Sequence, residues 1–207
     1  HKVILVYNEK KESLLMKKSI IIAIDGPASS GKGTIAKLLA KELAYIYLDT
    51  GAMYRALTYF CLEKKIDMAD EEQVYQACEK MNLRFTQDGE TFLDDIDVSV
   101  EIRSKEVNQL VSSVISLYPR VRALMVEKQR AYGKMENIVM DGRDIGTIVF
   151  PEATVKLFIS ASLKVRAKRR YEQNIASGLL DSYQTVENML AERDMTDLNR
   201  DISPLLK

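Results

Sequence analysis

The chain has 207 residues, 46% of them hydrophobic, enough for one core with small insertions. Its 30 basic and 30 acidic residues cancel, so no general field favours nucleic acid or an anionic membrane surface, and anions must be held by local clusters. The only histidine is His1, which excludes an internal Ser-His or Cys-His pair, argues against a zinc enzyme and leaves the chemistry to Lys, Arg, Asp and backbone.

Along the chain, residues 1–15 carry one short apolar run, Val3 to Tyr7, with no small-residue cleavage site, so they are not a signal peptide. Met16 reads as a natural start, and residues 1–15 as an upstream extension or a cloning remnant. No apolar run approaches the ~20 residues that span a bilayer. "SIIIAID" (19–25) reads as a strand buried on both faces, as in a parallel sheet. After a glycine loop, "KGTIAKLLAKEL" places Ile35, Leu38, Leu39 and Leu43 at helical spacing. "YIYL" (45–48) is a second buried strand. The helix after it has Met53, Leu57, Phe60 and Cys61 on one side.

Asp70 and Gln73 then make a capping-box pattern opening a helix to about Met81. "LRFTQDGETFL" reads as a hairpin around Asp88-Gly89. Two helices follow, one carrying Val107, Leu110, Val111, Val114 and Ile115, the other beginning at Pro119 with Val121, Leu124 and Met125. "NIVMD" (137–141) and "TVKLFIS" (154–160) are the third and fourth buried strands. Polar helices over 163–176 and 183–194 finish the chain. Cys61 and Cys78 fall in helices with no metal spacing around them, which suits reduced, packed thiols in a cytoplasmic protein. Strands alternating with helices predict an α/β sandwich with a mainly parallel sheet. Its strand C-terminal ends gather on one edge, where the glycine loop, Asp49 and Asp141 converge.

"GPASSGKGT" (Gly26, Pro27, Ala28, Ser29, Ser30, Gly31, Lys32, Gly33, Thr34) lies between a strand and a helix, the context of a phosphate loop. Its N–H groups and the helix N-terminus suit phosphate oxygens, and Lys32 adds a point charge at the β- and γ-phosphates. The common pattern has Ser or Thr after the lysine as a Mg²⁺ ligand. Here that position is Gly33, and Thr34 is the nearest hydroxyl. Asp141, an acid at a strand end, suits orienting Mg²⁺ through its water shell.

In "DTGAMYR", Thr50 suits a helix cap, and Arg55 is either a phosphate ligand or a solvated helix arginine. In "DGRDIG", Arg143 suits a bidentate phosphate clamp, and Asp144 an acceptor for an amino group on a base. Arg166, Arg169 and Arg170 share one helix face. That face reads as a lid on a transferring phosphate, a nucleic-acid patch or a solvated surface. "ERDMTDLNRD" (192–201) alone reads as a solvated, salt-bridged helix end.

Together "IDGPASSGKGT", "LDTGAMYRAL", "SVEIRSKEV", "PRVRALMVEKQR", "MDGRDIGTIVFPEA", "RAKRRYE" and "ERDMTDLNR" resemble the bacterial cytidylate kinases, in order and over about 18–207. The resemblance implies a three-layer P-loop NTP hydrolase-like fold. Its core would be 16–61 and 102–160, with an inserted helix-and-hairpin region for the nucleoside monophosphate over 62–101. The lid would be 161–182, and 183–207 a C-terminal helix of the core. It implies transfer of the γ-phosphoryl of ATP, with Mg²⁺, to CMP or dCMP by a cytoplasmic monomer with no nucleic-acid or membrane partner. Gly26 to Thr34 would hold ATP. Arg55, Arg143 and Arg200, beside Thr50, would clamp the CMP phosphate. Asp144, Arg122 and a serine of "VSSV", Ser112 rather than Ser113, would read cytosine, and Asp197 and Arg193 the sugar. Lys32, Arg143, Asp141 and the lid arginines Arg166, Arg169 and Arg170 would be catalytic. Metal contacts would be Thr34 and, via water, Asp141. The family continues past Lys207 with a strand and a helix, so the resemblance implies that without them the sheet lacks its last parallel strand and the adenine pocket is incomplete. Other readings are another P-loop kinase of small molecules or a non-catalytic nucleotide-binding module. A GTPase is disfavoured because no Asn-Lys-x-Asp segment is present.

Overall fold

A computed structural model describes residues 19–86, 89–200 and 202–207. The expectations for residues 1–15, for Met16 and for Asp88 in the hairpin turn lie outside these. The main sheet has four parallel strands: β1 (Ile21–Asp25), β2 (Ile46–Asp49), β6 (Ile138–Gly142) and β7 (Val155–Phe158), in the order β2-β6-β1-β7. β1 and β6 are central and apolar because helices cover both their faces. In register, Asp49 lies opposite Asp141, and Asp25 opposite Gly142. The strand ends therefore carry their acids to one edge.

β7 differs from the expected fully buried strand. Val155 and Leu157 are 40% and 39% exposed. It is the last strand in the sheet, and among the described residues only β1 pairs with it.

α1 (Lys32–Leu43) also differs in the face it buries. Ile35, Leu38 and Leu43 are exposed, whereas Ala36 and Ala40 are buried and Leu39 partly so. The two alanines, one turn apart in line with Lys32, let the helix backbone lie close against Ile22, Ile24, Tyr47 and Val139. Alanine contributes little to a hydrophobic pattern, so leucine spacing pointed to the wrong stripe.

α2 (Thr50–Glu63) buries Met53, Leu57 and Cys61 as expected. Its cap is Asp49, whose Oδ1 accepts from Ala52 N at 3.0 Å, and not Thr50. The Thr50 hydroxyl donates instead to Asp141 O at 2.8 Å. α3 (Glu71–Lys80) opens on Asp70, which accepts from the backbone of Glu72 and Gln73. β3 (Leu83–Phe85) and β4 (Thr91–Leu93) form the expected hairpin, extended by the short β5 (Ile96–Asp97). α4 (Lys105–Ser113) and α5 (Pro119–Met135) are joined by a 3₁₀ turn, so Val114 and Ile115 fall past the end of α4.

One core runs unbroken from Leu48 and Met140 through Met53, Leu57 and Cys61 to Val74 and Cys78 of α3, Leu93 of β4 and Met125 of α5. The helix-and-hairpin segment shares this core and has none of its own. α6 (Leu163–Ala176) follows β7, and α7 (Tyr183–Asn199) runs more than a turn past its expected end at Asp194. Among the described residues no helix is long and apolar enough to cross a membrane.

Cys61 and Cys78 are fully buried, and burial pushes their thiols up to about 11 and about 12. Thiolate is the reactive form. At pH 8 a chromogenic disulfide reagent is therefore expected to titrate neither thiol in the folded protein and both in guanidinium. Rapid labelling of the folded protein would contradict this packing.

Candidate active site

A cleft of about 610 Å³ opens at the C-terminal edge of the sheet. Nine basic side chains and four carboxylates line it, in a chain with no net charge. Ala28 to Thr34 form one wall, and Ser112, Arg122 and Asp144 line it as well.

The glycine loop owes its shape to two residues. Gly26 has φ +150°, and a Cβ there would stand 2.0 Å from Ile159 O, so only glycine lets β1 leave the sheet beside the end of β7. Gly31, at φ +94°, turns the chain into α1. Gly26 and Pro27 do not line the cleft; Pro27 O accepts from Lys32 Nζ at 3.4 Å. Lys32 Nζ lies 4.0 Å from Asp141 Oδ2, both groups being buried. Burial, then the nearby Arg143, lowers Lys32 to about 7; burial and Asp49 raise Asp141 to about 6. At that separation the pair does not offset the loss of hydration, so each group is driven toward its neutral form.

Asp49 behaves differently. Burial alone would raise it, but Arg55, whose Nη2 donates to Asp49 Oδ2 at 2.7 Å, and Arg103 hold it at about 2. One carboxylate thus caps α2 and aims Arg55, which settles Arg55 as a cleft residue and not a solvated one.

The Gly142–Gly146 turn is fastened by Asp25, whose oxygens accept from Ile145 N at 2.9 Å and Gly146 N at 2.8 Å. Behind it, Arg122 Nη2 donates to Asp144 Oδ2 at 2.6 Å, and both residues are buried. Arg143 Nε donates to Asp197 Oδ2 at 2.7 Å, and Arg200 Nη1 lies 3.5 Å from Asp197 Oδ1. Arg193 lines the same cleft and has no ion-pair partner among the described residues; burial, then Arg143, lowers it to about 10. Over 192–200, its described part, the 192–201 segment is therefore not the solvated helix end that it resembles in isolation. Asp197 is buried, and Arg193, Asp197 and Arg200 face the cleft.

α6 lies on the loop. Arg169 Nη1 donates to Ser30 O at 3.0 Å and Arg170 Nε to Ser29 Oγ at 3.2 Å, and both arginines line the cleft. Arg166 shares their face but not the cleft. Its Nη1 and Nη2 donate to Asp194 at 3.0 and 2.5 Å, Nη1 also reaches Ala28 O, and Nε donates to Ala161 O. With its donors taken, it ties α6 to α7 and to the loop. Ser112 lines the cleft and Ser113 does not.

Sequence reasoning missed Asp25, Asp194, Arg103 and Tyr47. Asp25 ends an apolar strand just as Asp141 does, and that signal was available. The other three had none.

A parallel sheet, a phosphate loop and a cleft with excess cations define the class: a P-loop kinase acting on a small phosphorylated substrate. The family model described as cytidylate kinase matches residues 22–207. A cytidylate kinase of a Geobacillus species (strain WCH70) is 46% identical over 93% of this chain and 87% of its own length. That of Bacillus subtilis (strain 168) is 45% identical over 93% of this chain and 87% of its own. That of Streptococcus mutans is 47% identical over 90% and 84%. The chain belongs to the cytidylate kinase family.

Proposed function

We propose that the protein transfers the γ-phosphoryl group of ATP to CMP or dCMP, giving ADP and CDP or dCDP. The observation that carries this reading is the placing of the phosphate loop and the buried Arg122–Asp144 pair on one cleft, with unneutralised arginines between them. A coupled ADP-release assay over AMP, CMP, dCMP, UMP and dTMP tests it. CMP and dCMP are expected to be the fastest acceptors; preference for AMP or dTMP would refute it.

An oxygen of the CMP phosphate attacks the γ-phosphorus as the bond from that phosphorus to the β–γ bridging oxygen breaks, and ADP leaves with the electron pair. The attacking oxygen is already anionic, so no histidine base is needed. Catalysis is then positioning and stabilisation of spread negative charge. Loop N–H groups from Ala28 to Thr34 and Lys32 hold the ATP phosphates. Burial and Arg143 lower Lys32, and phosphate charge beside it would favour its protonated form. Arg55, Arg143 and Arg200 take the acceptor phosphate, and Arg193 and Asp197 the sugar. Arg122, Asp144 and Ser112 read the base. Arg169 and Arg170 neutralise the migrating phosphoryl, and α6 over the loop keeps water from the γ-phosphate. Arg166 positions α6.

The residues present fit Mg²⁺ bound mainly by nucleotide and water. Asp141 Oδ2 accepts no hydrogen bond among the described residues, and Thr34 lines the same cleft. No cluster of three or more acids among the described residues competes as a protein cage. Asp141, through water, and Thr34 would hold the ion, which when bound neutralises β- and γ-phosphate charge. We read the protein as a cytoplasmic monomer, and the free, buried thiols suit that compartment.

A further inference from the structure

Tyr47 is buried in β2 and has no part in the roles above. Its hydroxyl donates to Asp141 Oδ1 at 2.8 Å. The backbone of Asp141 is held separately, by the Thr50 hydroxyl on its carbonyl. That contact leaves the carboxylate its rotation about its last bond, a soft torsion. The phenol removes it. Oδ2 is then turned toward Lys32 Nζ, 4.0 Å away.

Gly33 explains why that matters. In the common phosphate loop this position carries the hydroxyl that binds Mg²⁺. A Cβ at Gly33 would stand 3.4 Å from the Tyr47 hydroxyl and 3.8 Å from Asp141 Oδ2. The space beside the absent side chain is therefore bordered by the Tyr47 phenol oxygen and by Asp141 Oδ2, and the phenol holds that carboxylate through its other oxygen, Oδ1. We infer that Tyr47 is a positioning residue for the metal–nucleotide complex: it locks Asp141 so that Oδ2 stays free for the water shell of Mg²⁺ beside Gly33, where the loop has no side chain of its own. This rests on the reading of Asp141 given under Proposed function.

The test is the Mg²⁺ dependence of ADP binding, followed by calorimetry, alongside the Mg²⁺ dependence of the rate. Tyr47→Phe keeps the ring and removes the hydroxyl. Half-saturating Mg²⁺ is expected to rise about tenfold, the size of effect that losing a group behind a metal ligand commonly has. ADP binding in chelator and KM for CMP should stay unchanged. Tyr47→Leu should give the same shift in a second packing context. A lower melting temperature with an unchanged Mg²⁺ midpoint would overturn the inference, since that is what a purely packing role for the phenol predicts. Asp141→Asn separates the two levels. If it shifts the Mg²⁺ midpoint and Tyr47→Phe does not, the role of Tyr47 fails and that of Asp141 stands. If neither shifts it, both are wrong.

Discussion

Replacing Arg143 by alanine is expected to lower kcat/KM for CMP about a thousandfold while ATP affinity stays nearly unchanged, as for removal of an arginine that meets the reacting phosphates. Arg143 follows the end of β6 and lines the cleft, with Nε held 2.7 Å from Asp197 Oδ2 and Nη1 3.3 Å from Gly142 O. Nη2 has no hydrogen bond among the described residues, so the outer edge of the guanidinium is free for a planar, two-point grip on phosphate. Lysine there would supply charge without the fork, so Arg143→Lys should recover only a small part of the loss. Steady-state kinetics with CMP varied, together with equilibrium binding of an ATP analogue, checks both parts. Normal turnover by Arg143→Ala would remove Arg143 from the clamp, and loss of ATP binding would move it to the donor side.

The second large effect is expected at Asp144. Asp144→Ala should reduce discrimination of CMP over UMP by about a hundredfold or more, because a site built around a hydrogen-bond acceptor rejects a base that lacks the donor. Oδ2 is engaged by Arg122, while Oδ1 accepts no hydrogen bond among the described residues and is available to an exocyclic amino group. The same change should destabilise the fold by roughly 3 kcal/mol, since it leaves the buried Arg122 guanidinium without its counter-charge. Asp144→Asn separates the two effects. It keeps an oxygen for Arg122, so most of the stability should return, yet its amide can turn a donor toward uracil and keep the base choice loose. Kinetics with both acceptors and thermal melts of the three proteins measure this. Unchanged discrimination in Asp144→Ala would place base reading elsewhere.

Much of this architecture was legible from local patterns. The isoleucine-rich run before Gly26 and the apolar run before Asp141 each have one physical solution, a strand covered on both faces. The glycine spacing around Lys32 needs a strand before it and a helix after it, and both are written in adjacent residues. Boundaries at Pro119 and Asp70 follow from chemistry that acts within one turn. Errors arose where the deciding partner is remote. α1 buries its alanines because the sheet lies close, and β7 is an edge strand among the described residues, which its apolar run does not reveal.

The sequence by itself determined the fold class, the phosphate loop and, through its resemblance to the cytidylate kinases, the reaction. Which charged side chains work in the cleft was decided only by tertiary structure. Arg166, Arg169 and Arg170 look equivalent on a helical wheel, yet Asp194 from another helix claims the first and leaves the other two at the loop. Asp197, in a segment that looks solvated, is buried between Arg143 and Arg200. Asp25 and Asp49 prove to be the anchors of the Gly142–Gly146 turn and of Arg55. Helix and strand preferences act over a few residues, so they are readable along the chain. A charge's role depends on which counter-charge and how much water surround it, and both come from residues as far apart in the chain as Lys32 and Asp141.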